Sequence, residues 1–398
     1  MLEKAHLLIK EAARKLQLDE AQIETLLKAD AEHVFEIIVG DNTFPAYRVQ
    51  HNNQNGPYKG GVRFHPNVTI DEVRGLAILM SLKTAAVGLP LGGGKGGVVV
   101  DPKMLSAQEL EQLSRSYVQQ LHPHIGPRKD IPAPDVNTNA LIIDWMVDEY
   151  EKLTGDTTRA SFTGKSLENG GSLGREAATG RGGVYALEEF LRREKKTGAL
   201  TYALQGFGNV GSFFADVASI DNPNWTLVAA SDSKSGIYHK NGLDIQTLKK
   251  IKHDKKSFTE YSTDRVEHIS TENLINQDVD VLVLAALENA VTKNNMKHIK
   301  ARYIIELANG PVSAEALHYL SQKNVVVIPD IIANAGGVIV SYLEWQQNVT
   351  HEQWDEKKVN TELRRMIYQA MRECYSLSRS HNVNLTEAAY IQALRRLI

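Results

Sequence analysis

One cysteine, Cys374, stands in 398 residues, so no internal disulfide framework holds this chain together. Such sparing use of cysteine suits a reducing compartment and leads us to expect a cytoplasmic protein. Long apolar runs are missing as well: none approaches the roughly 20 residues that cross a bilayer. The opening stretch MLEKAHLLIKEAARKL carries charges throughout, which argues against a signal peptide or an anchor. Neither charge sign is in excess, since 45 Lys and Arg against 48 Asp and Glu leave a formal charge of −3. No basic surface therefore argues for nucleic acid or an anionic membrane as partner. Internal repeats, low-complexity segments and metal-ligand spacings are lacking too. What is present is a globular composition, 42% hydrophobic and 23% charged with 12 prolines, in a chain long enough for two domains with separate cores.

The segment Thr84–Asp101, TAAVGLPLGGGKGGVVVD, looks central. Five glycines (Gly92, Gly93, Gly94, Gly96, Gly97) surround Lys95, and an apolar strand is expected at Val98–Val100. Glycines let a loop turn freely and approach a ligand closely, because no Cβ intervenes. A lysine in such a close-packed setting is desolvated, which lowers its pKa and suits it to act as a base. A phosphate-binding P-loop would need Gly at 89 and Ser or Thr at 96, where the chain has Leu89 and Gly96. It would also lead into a helix rather than a strand.

Ahead of this loop, the spacing of Leu2, Ala5, Ile9, Ala12, Ala13 and Leu16 predicts an amphipathic helix, with a shorter one near Glu20–Ala29. Phe35–Val39 and Phe44–Gln50 flank Gly40-Asp41-Asn42 as a β-hairpin. The stretch NGPYKGGVRFHP holds a second glycine-framed lysine, Lys59; in an ordinary loop such a side chain would simply be solvated. Thr69-Ile70-Asp71-Glu72 has capping-box form and predicts a helix to about Val87. Lys83 falls in its last turns, where the helix dipole alone would favour a cation. Beyond a helix at Ala107–Leu121, the segment IPAPD predicts a rigid proline-bracketed turn presenting Asp135, which could equally be a local hydrogen-bond acceptor. A helix at Leu141–Leu153 and a Gly/Ser/Arg-rich loop from Ser161 to Gly183 follow.

The second half opens with a strand at Leu200–Leu204 running into Gln205-Gly206-Phe207-Gly208-Asn209-Val210-Gly211 and a helix to about Ser219. Strand, G-x-G-x-x-G and helix together form a dinucleotide fingerprint, in which Gly206, Gly208, Val210 and Gly211 meet the cofactor. A second strand at Thr226–Ala230 ends at Asp232, somewhat beyond the ~20 residues usual for the acid that meets the adenosine ribose. A carboxylate there favours NAD, while Ser231, Ser233 and Lys234 leave NADP open. Further strands are expected at Val279–Leu284, Tyr303–Leu307 and Val325–Ile328. Together they predict an open parallel sheet, with Asn289, Asn309 and Asn334 near or past strand ends. Gly336-Gly337-Val338 starts a helical run to Trp345, and the remainder is mostly helical.

The blocks GPYKGGVRFHP, LPLGGGKGGV, IPAPDVNTN, TGKSLENGGSLGREAATGRGG, QGFGNVG, ELANGP and ANAGGVIVSYLEW resemble the glutamate dehydrogenases of the glutamate/leucine/phenylalanine/valine dehydrogenase superfamily, over about Tyr47–Leu394. By that resemblance Lys95 is the catalytic lysine and Asp135 handles protons. Lys83 would hold the substrate α-carboxylate, and Lys59 and Ser341 its side-chain carboxylate. Asn334 would lie beside substrate and nicotinamide, and Thr179, Asn209 and Asn309 with the cofactor. The implied reaction is oxidative deamination of glutamate to 2-oxoglutarate and ammonia, in a homohexamer. Its implied architecture is α/β with two domains. Residues 1–185, joined by C-terminal helices at 345–398, would bind substrate and contact other subunits. Residues 186–344 would form a Rossmann-like, doubly wound dinucleotide-binding domain, and closure of the cleft between the two would expel water. A short hairpin at Gly40, Ala177 for a common glutamate, Leu284 for a common proline and a brief tail depart from the family pattern without touching the chemistry. Relatives acting on leucine, valine or phenylalanine usually place an apolar residue at Lys59 and read GGGKT rather than GGGKG. A non-catalytic nucleotide-binding relative would not need the full lysine set.

Overall fold

A computed structural model describes residues 2–398. The chain forms two compact units. One runs to Arg175 and takes in Val338–Glu362 and Tyr390–Ile398, and the other comprises Glu176–Gly337 and Leu363–Ala389. Among the described residues no helix is long and apolar enough to cross a membrane.

In the first unit, α1 (Leu2–Leu16) buries Ala5, Ile9, Ala12 and Ala13 on one stripe. Asp19 and Gln22 cap α2 (Glu20–Leu27) reciprocally. The expected hairpin forms between β1 (Ala31–Val39) and β2 (Asn42–Asn52), with Gly40 at φ +57° in the turn. Next come β3 (Tyr58–Phe64), α3 (Ile70–Ala86, capped by Thr69), β4 (Gly93–Val98), α4 (Ala107–Leu121), β5 (Asp130–Pro134) and α5 (Ala140–Thr154). The five strands lie in the order β1-β2-β4-β3-β5. Antiparallel pairing joins β1, β2 and β4, and parallel pairing joins β4, β3 and β5.

Two expectations change here. The glycine-rich segment is not a loop ahead of a strand at 98–100; it is itself β4, the middle strand of the sheet. None of its glycines adopts a positive φ, so turning freedom is not their purpose. They serve close approach instead. A Cβ on Gly93 would overlap Ser81 of α3, one on Gly97 would lie 2.9 Å from Val68, and one on Gly96 would overlap the Tyr117 hydroxyl of α4. Helices thus press on both faces of a nearly bare strand. The IPAP part of IPAPD is likewise a strand, β5, and the turn begins only at Asp135. Its prolines are tolerated because β5 is the sheet edge, where a missing N–H breaks no further ladder.

One face of the sheet packs Val62, Phe64 and Val98 with Leu113, Tyr117, Ile143 and Met146 of α4 and α5. The other packs Val49 with Val68, Val73 and Ala77, at and before α3.

The second unit opens with α6 (Ala178–Arg193), which begins inside the segment expected to stay a loop through Gly183. Gly180 and Gly183 sit within this helix because Phe214 and Leu307 come too near for side chains there. Then follow β6 (Leu200–Gln205), α7 (Asn209–Asp221), β7 (Trp225–Ser231), β8 (Gly236–Tyr238), α8 (Ile245–His253), β9 (Glu267–Ile269) and α9 (Thr271–Leu274). The unit continues with β10 (Val281–Leu284), β11 (Tyr303–Glu306), α10 (Ala314–Gln322), β12 (Val326–Ile328) and α11 (Asp330–Ala333). Its seven-stranded sheet runs β12-β11-β10-β6-β7-β8-β9. The first five strands are parallel as expected; β8 and β9 add an antiparallel edge. At three residues each, those two strands are too short to show an alternation. Strand order reverses between β6 and β10, the switch point where ligands settle in doubly wound folds. The chain closes with α12 (Gly336–Thr350), α13 (Glu356–His381) and α14 (Leu385–Leu394).

Because α3 rests directly on the β4 backbone, Gly93→Ala should overpack that contact and cost about 1–3 kcal/mol of unfolding free energy. Denaturant unfolding measures it; an unchanged midpoint would show that α3 can lift away at no cost.

Candidate active site

Side chains alternate across a strand, so Lys59, Gly61 and Arg63 share one face of β3. This is the face opposite the core residues Val62 and Phe64. On β4 the same logic puts Lys95 between Gly93 and Gly97, on the side covered by α3. Asp135 follows the end of β5. Its turn is pinned, because the Asp135 amide donates to Thr138 Oγ1 at 2.7 Å and Thr138 Oγ1 donates to the Val62 carbonyl at 2.9 Å. Gly61 leaves the carboxylate room, since a Cβ there would sit 2.7 Å from Asp135 Cβ.

The structure brings Lys95 and Asp135 together, with Lys95 Nζ 2.8 Å from Asp135 Oδ2. The same oxygen accepts from Arg63 Nε at 3.2 Å, and Arg63 Nη1 is anchored on Glu72 of α3 at 2.5 Å. Burial pulls the Lys95 ammonium below its ordinary range; Asp135 opposes that, and Arg63 and Arg48 add to it. For Asp135 burial works against ionisation, but Lys95 and Arg63 overcome it and hold the carboxyl below its usual range.

Lys59 is 1% exposed. It donates to the Ile131 carbonyl at 3.2 Å and to no carboxylate. Burial, reinforced by the Arg175 and Arg48 guanidinium groups and opposed by the Glu344 and Asp130 carboxylates, pushes its pKa well below the ordinary lysine value. Beneath it, Arg48 and Asp130 form a fully buried ion pair. Arg48 also donates to the Gly60 carbonyl at 3.1 Å, and Gln50 Nε2 donates to Asp130 Oδ2 at 2.8 Å. That network ties β2 to β3 and β5 directly below the lysines.

Ser341, buried on α12, accepts from Arg175 Nη1 at 3.1 Å. Lys83 lies half-buried in the last turn of α3. Its neighbour Thr84 donates to the Gly92 carbonyl at 3.2 Å, fixing that turn to the start of the Lys95 strand. Arg63, Arg175 and Arg48 were not singled out from the sequence. Arg63 was within reach of it: once GPYKGGVRF is a strand, position 63 must share the face of Lys59. Arg175 carries no comparable local signal, because its neighbour Ser341 is far along the chain.

In the second unit, Gly206 turns at φ +92° against Ala286, beyond the end of β10. A Cβ on Gly208 would meet nothing within 4 Å, and as N-cap of α7 it supplies no side-chain hydrogen bond. The first N–H groups of α7 are thus left for an anion, and Asn209 and Gly208 are exposed beside them. Val210 is half-buried in the same turn. Gly211 is required by the Gly206 carbonyl, which a Cβ would strike. Thr179 is half-buried in the first turn of α6, its hydroxyl 3.2 Å from where a Gly337 Cβ would stand. Asn334 Nδ2 donates to Asn309 Oδ1 at 3.0 Å, which brings those two asparagines together. Asp232 is already engaged. Its carboxylate accepts from the amides of Lys234 (2.8 Å), Ser235 (2.9 Å) and Phe258 (3.1 Å) and from Lys252 Nζ at 3.4 Å. Among the described residues, no group of three His, Cys, Asp or Glu is placed to hold a metal ion.

The family model described as Glutamate/Leucine/Phenylalanine/Valine dehydrogenase matches residues 170–398, and the Glu/Leu/Phe/Val dehydrogenase dimerisation domain matches residues 34–152. The chain belongs to this family. It is 45% identical over 379 residues to a glutamate dehydrogenase of Thermotoga maritima, covering 94% of this chain and 88% of that one. It is 42% identical over 362 residues to an NADP-specific glutamate dehydrogenase of Synechocystis, covering 89% and 84%. A crystal structure of hetero-hexameric glutamate dehydrogenase from Thermus thermophilus superposes with a TM-score of 0.87 at 32% identity, covering 100% of this chain and 95% of that one.

Arg63 shares an oxygen of Asp135 with Lys95, so Arg63→Gln should let the Asp135 carboxyl rise toward the ordinary range. Its titration can be followed by NMR with labelled aspartate and assigned through Asp135→Asn. An unmoved titration would remove Arg63 from the proton balance of the pair.

Proposed function

We propose that this chain oxidatively and reversibly deaminates L-glutamate to 2-oxoglutarate and ammonia, with NAD(P) as cofactor. The observation that carries the reading is Lys59, a buried amine held by a backbone carbonyl and kept short of its charged form by desolvation, which a carboxylate brought beside it would restore. A substrate side chain ending in a carboxylate completes it. A leucine, valine or phenylalanine side chain would leave it unpaired, at a cost of several kcal/mol. Arg175 and Ser341 add donors to the same recognition. Lys83 takes the substrate α-carboxylate.

Lys95 is the base. Desolvation favours its neutral form, and a neutral amine accepts a proton from the substrate ammonium or from attacking water. Asp135, with an oxygen on Lys95 and Arg63, passes protons at the α-nitrogen. Arg63 and the pinned turn keep its carboxylate aimed at Lys95. The residues of the second unit fit a dinucleotide: the glycine turn at Gly206, Gly208 and Gly211 and the α7 amides would hold the pyrophosphate. Asn209, Val210, Thr179, Asn309 and Asn334 would line the remainder. Accepting a hydride from Cα is the chemistry the nicotinamide supplies when bound. Asp232 is proposed at the adenosine ribose and favours NAD. Four donors already share its charge, which weakens its repulsion of a 2′-phosphate and supports NADP as well. The NADP-specific Synechocystis relative agrees with that. The substrate role, expected for 1–185 with helices in 345–398, falls to the first unit, and the dinucleotide role, expected for 186–344, to the second, which also takes in 176–185 and Leu363–Ala389. A homohexamer in the cytoplasm is the assembly we infer, supported by the hexameric Thermus relative and the dimerisation-domain match.

Steady-state rates with glutamate and norleucine test the reading. Wild-type kcat/KM should favour glutamate by about a hundredfold or more, and Lys59→Leu should erase most of that margin. A wild type that prefers norleucine would overturn it.

A further inference from the structure

Glu344 on α12 is fully buried, yet no step above uses it. Both its oxygens accept from the Gly164 amide at 2.9 Å, and Oε1 also accepts from the Lys165 amide at 3.3 Å. Lys165 Nζ, equally buried, donates to Glu344 Oε1 at 2.6 Å and to the Phe162 carbonyl at 2.6 Å. Arg175 Nη1 reaches Glu344 Oε2 at 3.4 Å while donating to Ser341 Oγ at 3.1 Å. Ser341 and Glu344 stand three residues apart, so they share a helix face. The turn that cradles Glu344 is packed tightly against Pro134 and the Arg175 guanidinium. Gly164 has φ +87°, and a Cβ there would lie 2.8 Å from Arg175 Nη2.

The two cationic contacts of Glu344 are unequal. Lys165 takes it at short range inside the protein, whereas Arg175 touches it at long range from a half-exposed position. Without Lys165 the buried carboxylate would keep Arg175 as its remaining ion-pair partner, with Lys59 near enough to feel its charge, and would draw the guanidinium in more closely. The guanidinium would then be neutralised before any substrate arrived. We propose that Lys165 and Glu344 are a positioning pair for recognition of the substrate's side-chain carboxylate. Glu344 anchors Arg175 beside Ser341, and Lys165 neutralises Glu344 so that the anchored guanidinium keeps its charge for the substrate. The proposal rests on the glutamate reading above and adds two residues that never touch the substrate.

The test compares wild type with Lys165→Met, Lys165→Arg and the double variant Lys165→Met/Glu344→Gln, each with glutamate and norleucine at saturating cofactor. Lys165→Met should raise KM for glutamate about tenfold while kcat stays within about threefold, and should narrow the glutamate-to-norleucine ratio by the same factor. Lys165→Arg keeps the charge and should remain within about threefold of wild type. In the double variant the glutamine carbonyl oxygen still accepts from Arg175, which keeps the anchor, while no buried anion competes for its charge, and KM should return most of the way. A merely structural pair would lower the yield of active enzyme without moving KM or the substrate ratio. Unchanged KM and ratio in Lys165→Met, or no recovery in the double variant, would overturn the proposal. Should Lys165→Met not fold, the double variant decides: near-wild-type KM supports the pair's role and a tenfold rise refutes it. A wild type inactive on glutamate would sink the underlying reading, and the proposal with it, before any variant is compared.

Discussion

Everything in the first unit depends on a strand that gives up its side chains. In β4 the glycines at 93, 94, 96 and 97 let α3 and α4 close onto bare backbone from the two faces. Lys95 is the sole residue there with a side chain to bury until Val98. Close packing excludes water from its stem and ammonium, and that desolvation pulls its proton affinity down. A solvent-exposed loop of the same composition would have left an ordinary lysine. The lowered proton affinity is thus a by-product of backbone packing density, and side-chain bulk introduced along β4 would disturb it.

Such packing concentrates cations, and the unit balances them pair by pair. Arg48 is matched by Asp130, Lys95 by Asp135, and Lys165 by Glu344. Lys59 alone among these buried cations meets only a carbonyl. Buried pairs of this kind contribute little net stability, because desolvation offsets their attraction. Their value lies in fixing where charge is compensated and where it is left open. At Lys59 the charges of Glu344 and Asp130 are felt without a direct ion pair, and the proposed substrate carboxylate would supply one.

Local patterns in the sequence carried much of this. The helical stripe of α1, the Gly40 hairpin, the Thr69 cap and the strand–glycine–helix run at Leu200–Asp221 follow from short-range rules, and the structure agrees with them. The misreadings share one cause. Glycine and proline normally punctuate, so GGGKGG reads as a loop and IPAP as a turn. Tertiary packing instead made them the middle and the edge of one sheet. Helix α6 opened inside an apparent loop for the same reason, since its glycines accommodate neighbouring elements rather than break the helix. Arg175 and Glu344 carry no local signal, because their meaning lies in a contact nearly 170 residues apart along the chain, which no local window contains. Asp232 was legible in position but not in occupancy: only the fold reveals that Lys234, Ser235, Phe258 and Lys252 already claim it.

If the desolvated Lys95 amine is the base, its removal should stop turnover without touching the unit that carries the dinucleotide fingerprint. The direct measurement is kcat of Lys95→Ala with glutamate, alongside NAD(P) affinity by fluorescence titration. A loss of at least about 10²-fold in kcat with cofactor affinity unchanged is the expected result. Retention of more than about a tenth of wild-type turnover would contradict it.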